Sequence, residues 1–222
     1  MNKSTSQNEQ MGNALAPPGE GAKFPSVSNN TEKYFNYKDQ MDRLKKARAE
    51  GFYLESIFII YAMLEDRLSA FLYYTGVSNN TRDRLTSTKA VRPQLDQVLC
   101  VGNKPNFSLN KVSTKSKLIK ELLLWSDAYE AKDNSKEYLD ILCNQVNRAG
   151  RKAEVVAILA GIEAWCKARN ELVHALLNKK LDGQEETLKQ LVEAGLQYSR
   201  KLENFVRSFK VRNHIREEFD IE

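Results

Sequence analysis

Apolar residues recur at helical spacing over most of this chain. Between residues 52 and 74, Leu54, Ile57, Tyr61, Leu64, Leu68 and Phe71 follow one another at intervals of three and four, which lays them along one stripe of a helix. Gly51 permits a break before this segment, and Gly76 supplies a stop after it. The pattern turns helical from Tyr34 and predicts a short polar helix over 39–50. Later helices are predicted over 117–130, 136–148, 152–177 and 185–211. The last carries Leu188, Leu191, Val192, Tyr198, Leu202, Phe205 and Phe209 on one face, and Asp182-Gly183 marks the turn before it. Residues 77–116 have weak periodicity, with room for one short helix near 93–101. Strand signals are nearly absent and no internal repeat is visible. The expected fold class is therefore all-α, a helical bundle with an insertion at 77–116 between its second and third main helices.

Residues 1–30 are rich in Asn, Ser, Gly and Pro, including Pro17-Pro18-Gly19 and Asn29-Asn30, and read as a disordered tail. Residues 31–222 read as a single helical domain. No apolar run approaches bilayer-spanning length, and the N-terminus lacks an apolar signal core. Together with a mean hydropathy of -0.55, this predicts a soluble, cytoplasmic protein with no membrane partner. Cys100, Cys143 and Cys166 are odd in number and unevenly placed, which suits free thiols in a reducing compartment. No CxxC or Cys/His cluster is present, so neither a metal site nor a cofactor is expected.

Charge sharpens the reading in one segment. The chain carries a net +5 and a pI near 9.0. Between Asn79 and Lys117 stand Arg82, Arg84, Lys89, Arg92, Lys104, Lys111, Lys115 and Lys117 against only Asp83 and Asp96. The insertion is thus basic, and such a local excess attracts polyanions. A solvated loop without a partner is the plainer reading.

Two residues break the apolar pattern. On the helix over 152–177, Val155, Ile158, Ile162, Trp165, Val173 and Leu176 make the stripe, and Arg169 falls near its middle. A guanidinium cannot lose its charge, so it must find an anion, reach solvent or line a cleft. Glu65 sits on the flank of the earlier stripe, beside Phe58 and Leu72 in projection. It needs a partner, and Arg169 is one candidate; such a pair would do no more than fix helix register. Asn170 and His174, one helical turn apart, share a face next to the Arg169 stripe.

Arg169-Asn170 followed by His174, within Arg169-Asn170-Glu171-Leu172-Val173-His174, resembles the signature of the HEPN superfamily: arginine, four to six residues, histidine, with a polar residue directly after the arginine. The resemblance spans roughly residues 34–209, and only the six-residue core is specific. Arg207 and His214 also fit the bare spacing, but Ser208 follows that arginine. Leu176 stands where toxins of the family paired with nucleotidyltransferase antitoxins usually carry tyrosine, so control by modification of such a tyrosine is not expected.

The resemblance implies a metal-independent endoribonuclease, a toxin or anti-phage defence effector, that leaves a 2',3'-cyclic phosphate and a 5'-hydroxyl. Arg169 is then the phosphate-binding cation, Asn170 the orienting amide and His174 the proton-transfer group, with Glu65 in support. The family's usual arrangement is a homodimer with a shared active-site cleft, and an antitoxin or other regulator is a possible partner. Lys89, Arg92, Lys115 and Lys117 are the candidates for guiding the RNA backbone, and Tyr73 and Tyr74 for stacking bases near the same end. The competing readings are a non-catalytic helical module that binds RNA or protein, and a plain structural bundle.

Overall fold

A computed structural model of the chain describes residues 30–79, 84–99, 109–175, 183–212 and 215–221. The chain forms two compact units, Met1–Met41 and Asp42–Glu222. Of the first, residues 30–41 are described, and they are the opening part of helix α1 (Asn30–Ala49). The tail expected over 1–30 otherwise lies outside the described residues. The second unit holds the remaining helices and every candidate site residue.

After α1 come α2 (Tyr53–Tyr74), α3 (Arg92–Val98), α4 (Val112–Ala128), α5 (Tyr138–Ala149), α6 (Lys152–Ala175), α7 (Glu185–Arg212) and the short α8 (Ile215–Glu218). Among the described residues the only strand-like pairing is an isolated antiparallel bridge between Ser78 and Leu85. The all-α expectation is borne out.

Helix α2 is the centre of the unit, packed against both α4 and α7. It therefore buries more than one stripe: Ile59, Ile60, Met63 and Leu72 are covered together with Ile57, Leu64, Leu68 and Phe71. Leu54 and Tyr61, at the margin of the covered surface, are only half-buried. Ile60 and Trp165 close on α7 where Gly195 has no side chain; a Cβ there would stand 2.7 Å from the Ile60 methyl and 2.8 Å from Trp165 Nε1. Further along, Phe71 stacks on Phe205 at 5.5 Å and meets Phe209 edge-on at 4.9 Å, and Arg67 pairs with Glu203 at 2.8 Å. This succession makes α2 and α7 parallel. Helix α6 runs the other way, since Trp165 Nε1 donates to the Leu191 carbonyl while the earlier Gly161 lies against the later Tyr198.

Helix α4 starts at Val112, five residues before the start predicted at 117. The apolar period is interrupted there because Lys115 and Ser116 occupy buried positions between Val112 and Leu118. Ser116 Oγ donates to the Leu159 carbonyl at the near end of α4, and Lys152 pairs with Asp127 at its far end, so α4 and α6 are antiparallel. The first residues of α2, α4 and α7 consequently gather at the end of the bundle where α6 finishes.

The insertion is less irregular than its sequence suggests. Pro93 opens α3, whose Leu95 is fully buried. Gln94 bonds Glu137 and the Leu139 amide, tying α3 to the start of α5. Residues 80–83 and 100–108 of the insertion lie outside the described residues. At the same end of the bundle, Gly76 takes φ +72° and Ile215 and Ile221 pack onto it. Arg216 covers the Tyr73 ring at 3.8 Å and donates to the Tyr73 and Ser78 carbonyls.

Candidate active site

Helix α6 delivers the motif. Val155, Ile158, Leu159, Ile162, Trp165 and Cys166 are buried and fix its rotation. That rotation turns Arg169 toward α2, where its guanidinium lies 5.1 Å from the centre of the Phe58 ring and 4.7 Å from that of Tyr61. Arg169 Nη1 donates to Asn170 Oδ1 at 3.1 Å. Its Nε is buried without a hydrogen-bond partner among the described residues, and no ion pair to Arg169 is present among them. The cation is thus held by ring faces and one amide oxygen. Phe58 is 47% exposed, so the bracket opens to solvent.

Asn170 and His174 are both exposed on the flank of α6, one turn apart. His174 is the basic residue of the last turn, where a positive charge suits the helix dipole. It stands five positions after Arg169, about 7.5 Å along the axis. Val173 is half-buried, while Leu176 lies outside the described residues, as does His214 of the second, weaker match.

Two groups line the inner side of Arg169, the buried Cys166 and the half-buried Tyr61. Burial pushes the Cys166 thiol up to about 11, with Arg169 pulling the other way and Glu163 adding to the rise. Burial likewise raises the Tyr61 hydroxyl. A bond from the Val112 backbone opposes this, Glu65 and Cys166 add to the rise, and Arg169 opposes it last. Tyr61 therefore feels a cation and a carboxylate in opposite senses.

That carboxylate does not pair with Arg169. Glu65 accepts from Lys115 Nζ at 2.9 Å, and the same ammonium donates to Ser69 Oγ at 2.8 Å. This corrects two expectations. The partner of Glu65 is a lysine of α4, and Lys115 is no guide for RNA: it is 2% exposed, its charge taken up by neighbours inside the bundle. The reason is that Lys115 is already helical, three residues after the buried Val112 and three before the buried Leu118, on a face of α4 that meets α2.

The other cations are dispersed. Lys117 is exposed on α4. Lys89 is exposed just before α3, and Arg92 Nε is bound to Asp96 at 2.8 Å within that helix. Both belong with the end of α2 near Thr75, about 21 Å along that helix from Tyr61. The structure does not bring them to Arg169. Tyr73 is also at that far end and is capped by Arg216, so it does not serve as an open platform beside the motif. A cavity of about 170 Å³ lined by Arg151, Glu154, Val155, Lys201, Asn204 and Phe205 lies toward the start of α6, about 21 Å from Arg169, and takes no part in the site.

Phe58 and Tyr61 are the site residues that sequence patterning passes over. By spacing alone Tyr61 belongs to the core stripe and Phe58 serves only to place Glu65. Their separation of three puts both on one face, but nothing in the sequence says that an arginine lies across it. Among the described residues no group of three or more His, Cys, Asp or Glu side chains is placed to hold a metal ion, and no helix is long and apolar enough to cross a membrane. Fold and site together define a class, an all-α bundle with an Arg-Asn-x3-His segment at the end of a long helix. No family model, curated protein or solved structure matches the chain.

Proposed function

We propose that this protein is a metal-independent endoribonuclease of the HEPN type, cleaving RNA to a 2',3'-cyclic phosphate and a 5'-hydroxyl. The observation that carries the reading is Arg169: a permanent cation on an otherwise apolar stripe, without a carboxylate partner among the described residues, beside exposed Asn170 and His174. A phosphodiester would complete what the chain leaves open. Arg169 binds it and stabilises the charge of the transition state. Asn170 orients the phosphate or the guanidinium it already touches. His174 moves a proton to or from the reacting oxygens, since imidazoles exchange protons near neutral pH. The first turns of α2 and α4 at this end add partial positive charge.

Cleavage of this kind benefits from an acid and a base together, and one chain offers one imidazole in the motif. A twofold homodimer with α6 facing α6 supplies two, and the half-open bracket of Phe58 and Arg169 is the surface such a pairing would cover. A toxin or anti-phage role and an antitoxin or other regulator follow from the family resemblance alone, and a cytoplasmic setting from the sequence pattern. The exposed Lys89 and Lys117 favour one alternative, a non-catalytic RNA-binding module. Incubating the protein with varied RNAs in EDTA separates the two. Cleavage lost in His174→Ala with RNA binding retained supports the enzyme; binding without cleavage by the wild type supports the module.

A further inference from the structure

Buried ammonium groups are expensive, and Lys115 is sealed inside the bundle at 2% exposure. Its hydrogen-bond partners among the described residues are one carboxylate and one hydroxyl from successive turns of α2, Glu65 and Ser69. Glu65 itself is not sealed, its side chain being 37% exposed. It stands one helical turn from Tyr61, the ring on which Arg169 rests. Both Glu65 and Arg169 act on the Tyr61 hydroxyl, in opposite senses. A carboxylate one helical turn from the ring that carries an uncommitted guanidinium would, by simple attraction, be expected to swing toward it. It does not, because Lys115 holds it.

We propose that Lys115 is a positioning residue for Arg169: by binding Glu65 it keeps that carboxylate off the guanidinium, which then rests on Phe58 and Tyr61 with its charge unspent. This rests on the ribonuclease reading for its functional consequence, though not for its geometry. On α6 itself Glu163 lies six residues before Arg169 and well around the helix, and Glu171 is exposed beside Lys167, so neither is a rival partner. Ser69 completes the lock, giving the ammonium a second acceptor deep in the helix pair. The bracket and the lock work together, since aromatic faces attract a cation without neutralising it.

The test uses the full chain and three variants: Lys115→Met, Glu65→Gln and the double variant. The first readout needs no activity. The guanidinium carbon and nitrogen resonances of Arg169, assigned by Arg169→Lys, should move to carboxylate-bonded values in Lys115→Met and return in the double variant. The second readout is RNA cleavage in EDTA: kcat/KM should fall about 100-fold in Lys115→Met and recover most of that loss in the double variant. A purely structural lysine could show the same recovery, because the double variant also removes an orphaned carboxylate, so the Arg169 resonances decide between the two roles. If thermal melts show that Lys115→Met does not fold, Lys115→Gln, still able to bond Ser69, replaces it. An unchanged Arg169 spectrum in the folded variant overturns the proposal, and so does a double variant as impaired as the single one. Resonances that move and return in a wild type that cleaves no RNA uphold the positioning role and sink the ribonuclease reading.

Discussion

Replacing Arg169 by methionine should hardly change stability while abolishing the proposed reaction. The balance follows from the contacts. The guanidinium gains from two ring faces, at 5.1 and 4.7 Å, each worth about 0.5–1 kcal/mol at a partly exposed site. Against this, Nε is buried without a partner, a cost of about 1–3 kcal/mol. The bond to Asn170 is exposed and contributes little. Methionine keeps the packing of the aliphatic stem against Tyr61 and removes the orphaned donor. The terms offset to within about 1 kcal/mol, so Tm should move by no more than about 4 °C. Had Arg169 been half of a buried ion pair, its removal would cost about 3–5 kcal/mol. Urea denaturation measures the stability, and single-turnover cleavage of RNA in EDTA measures the activity, which should fall about 100-fold or more. A loss of stability above about 3 kcal/mol, or cleavage at the wild-type rate, would refute the account of Arg169 as an uncommitted cation.

Other perturbations test the frame that holds the site. Gly195→Ala should cost about 1–3 kcal/mol in urea denaturation, because the new methyl meets Ile60 and Trp165 below 3 Å with the indole already tied to Leu191. Tyr138→Phe should cost about 1 kcal/mol in the same assay, by stripping the Thr75 carbonyl of a fully buried donor at 2.9 Å. The Cys166 thiol, pushed from its ordinary 9.0 to about 11, should resist alkylation in the folded protein at pH 8 and react only on unfolding. Because its folded value is the higher one, its contribution to stability is full below pH 9 and is lost as pH climbs through 11; removing it in Cys166→Ser should flatten that part of the stability profile. Inorganic phosphate should raise the Tm of the wild type and leave that of Arg169→Met unmoved, as a ligand that binds the guanidinium must.

Long amphipathic helices are legible in the sequence because their period is set by burial. Helices α2, α6 and α7 begin within one residue of the starts that patterning gives, and Gly51 does break the chain, at φ +77°. The start of α4 is not legible, since a buried lysine and a buried serine sit where the pattern wants apolar side chains. That one misplacement carries into the site. As part of a basic loop, Lys115 looks like a hand for RNA; on α4 it is the anchor of Glu65. The misfit of Arg169 is plain from its position on the stripe. Its neighbours Phe58 and Tyr61 are not, because which faces of two helices meet depends on the packing of the whole bundle.

The charge arithmetic of α2 and α6 gives the site its logic. Two cations, Arg169 and Lys115, and one carboxylate, Glu65, meet around Tyr61 on the inner faces of α2, α4 and α6. The deeper cation holds that carboxylate, where desolvation makes pairing most necessary. The shallower one keeps its charge at the rim. A bundle built only for stability gains nothing from this surplus, since an aliphatic side chain in place of Arg169 would pack on the same rings without a buried orphan nitrogen. The surplus makes sense if an anion arrives from outside, and the rim offers it an amide and an imidazole within two turns of one helix.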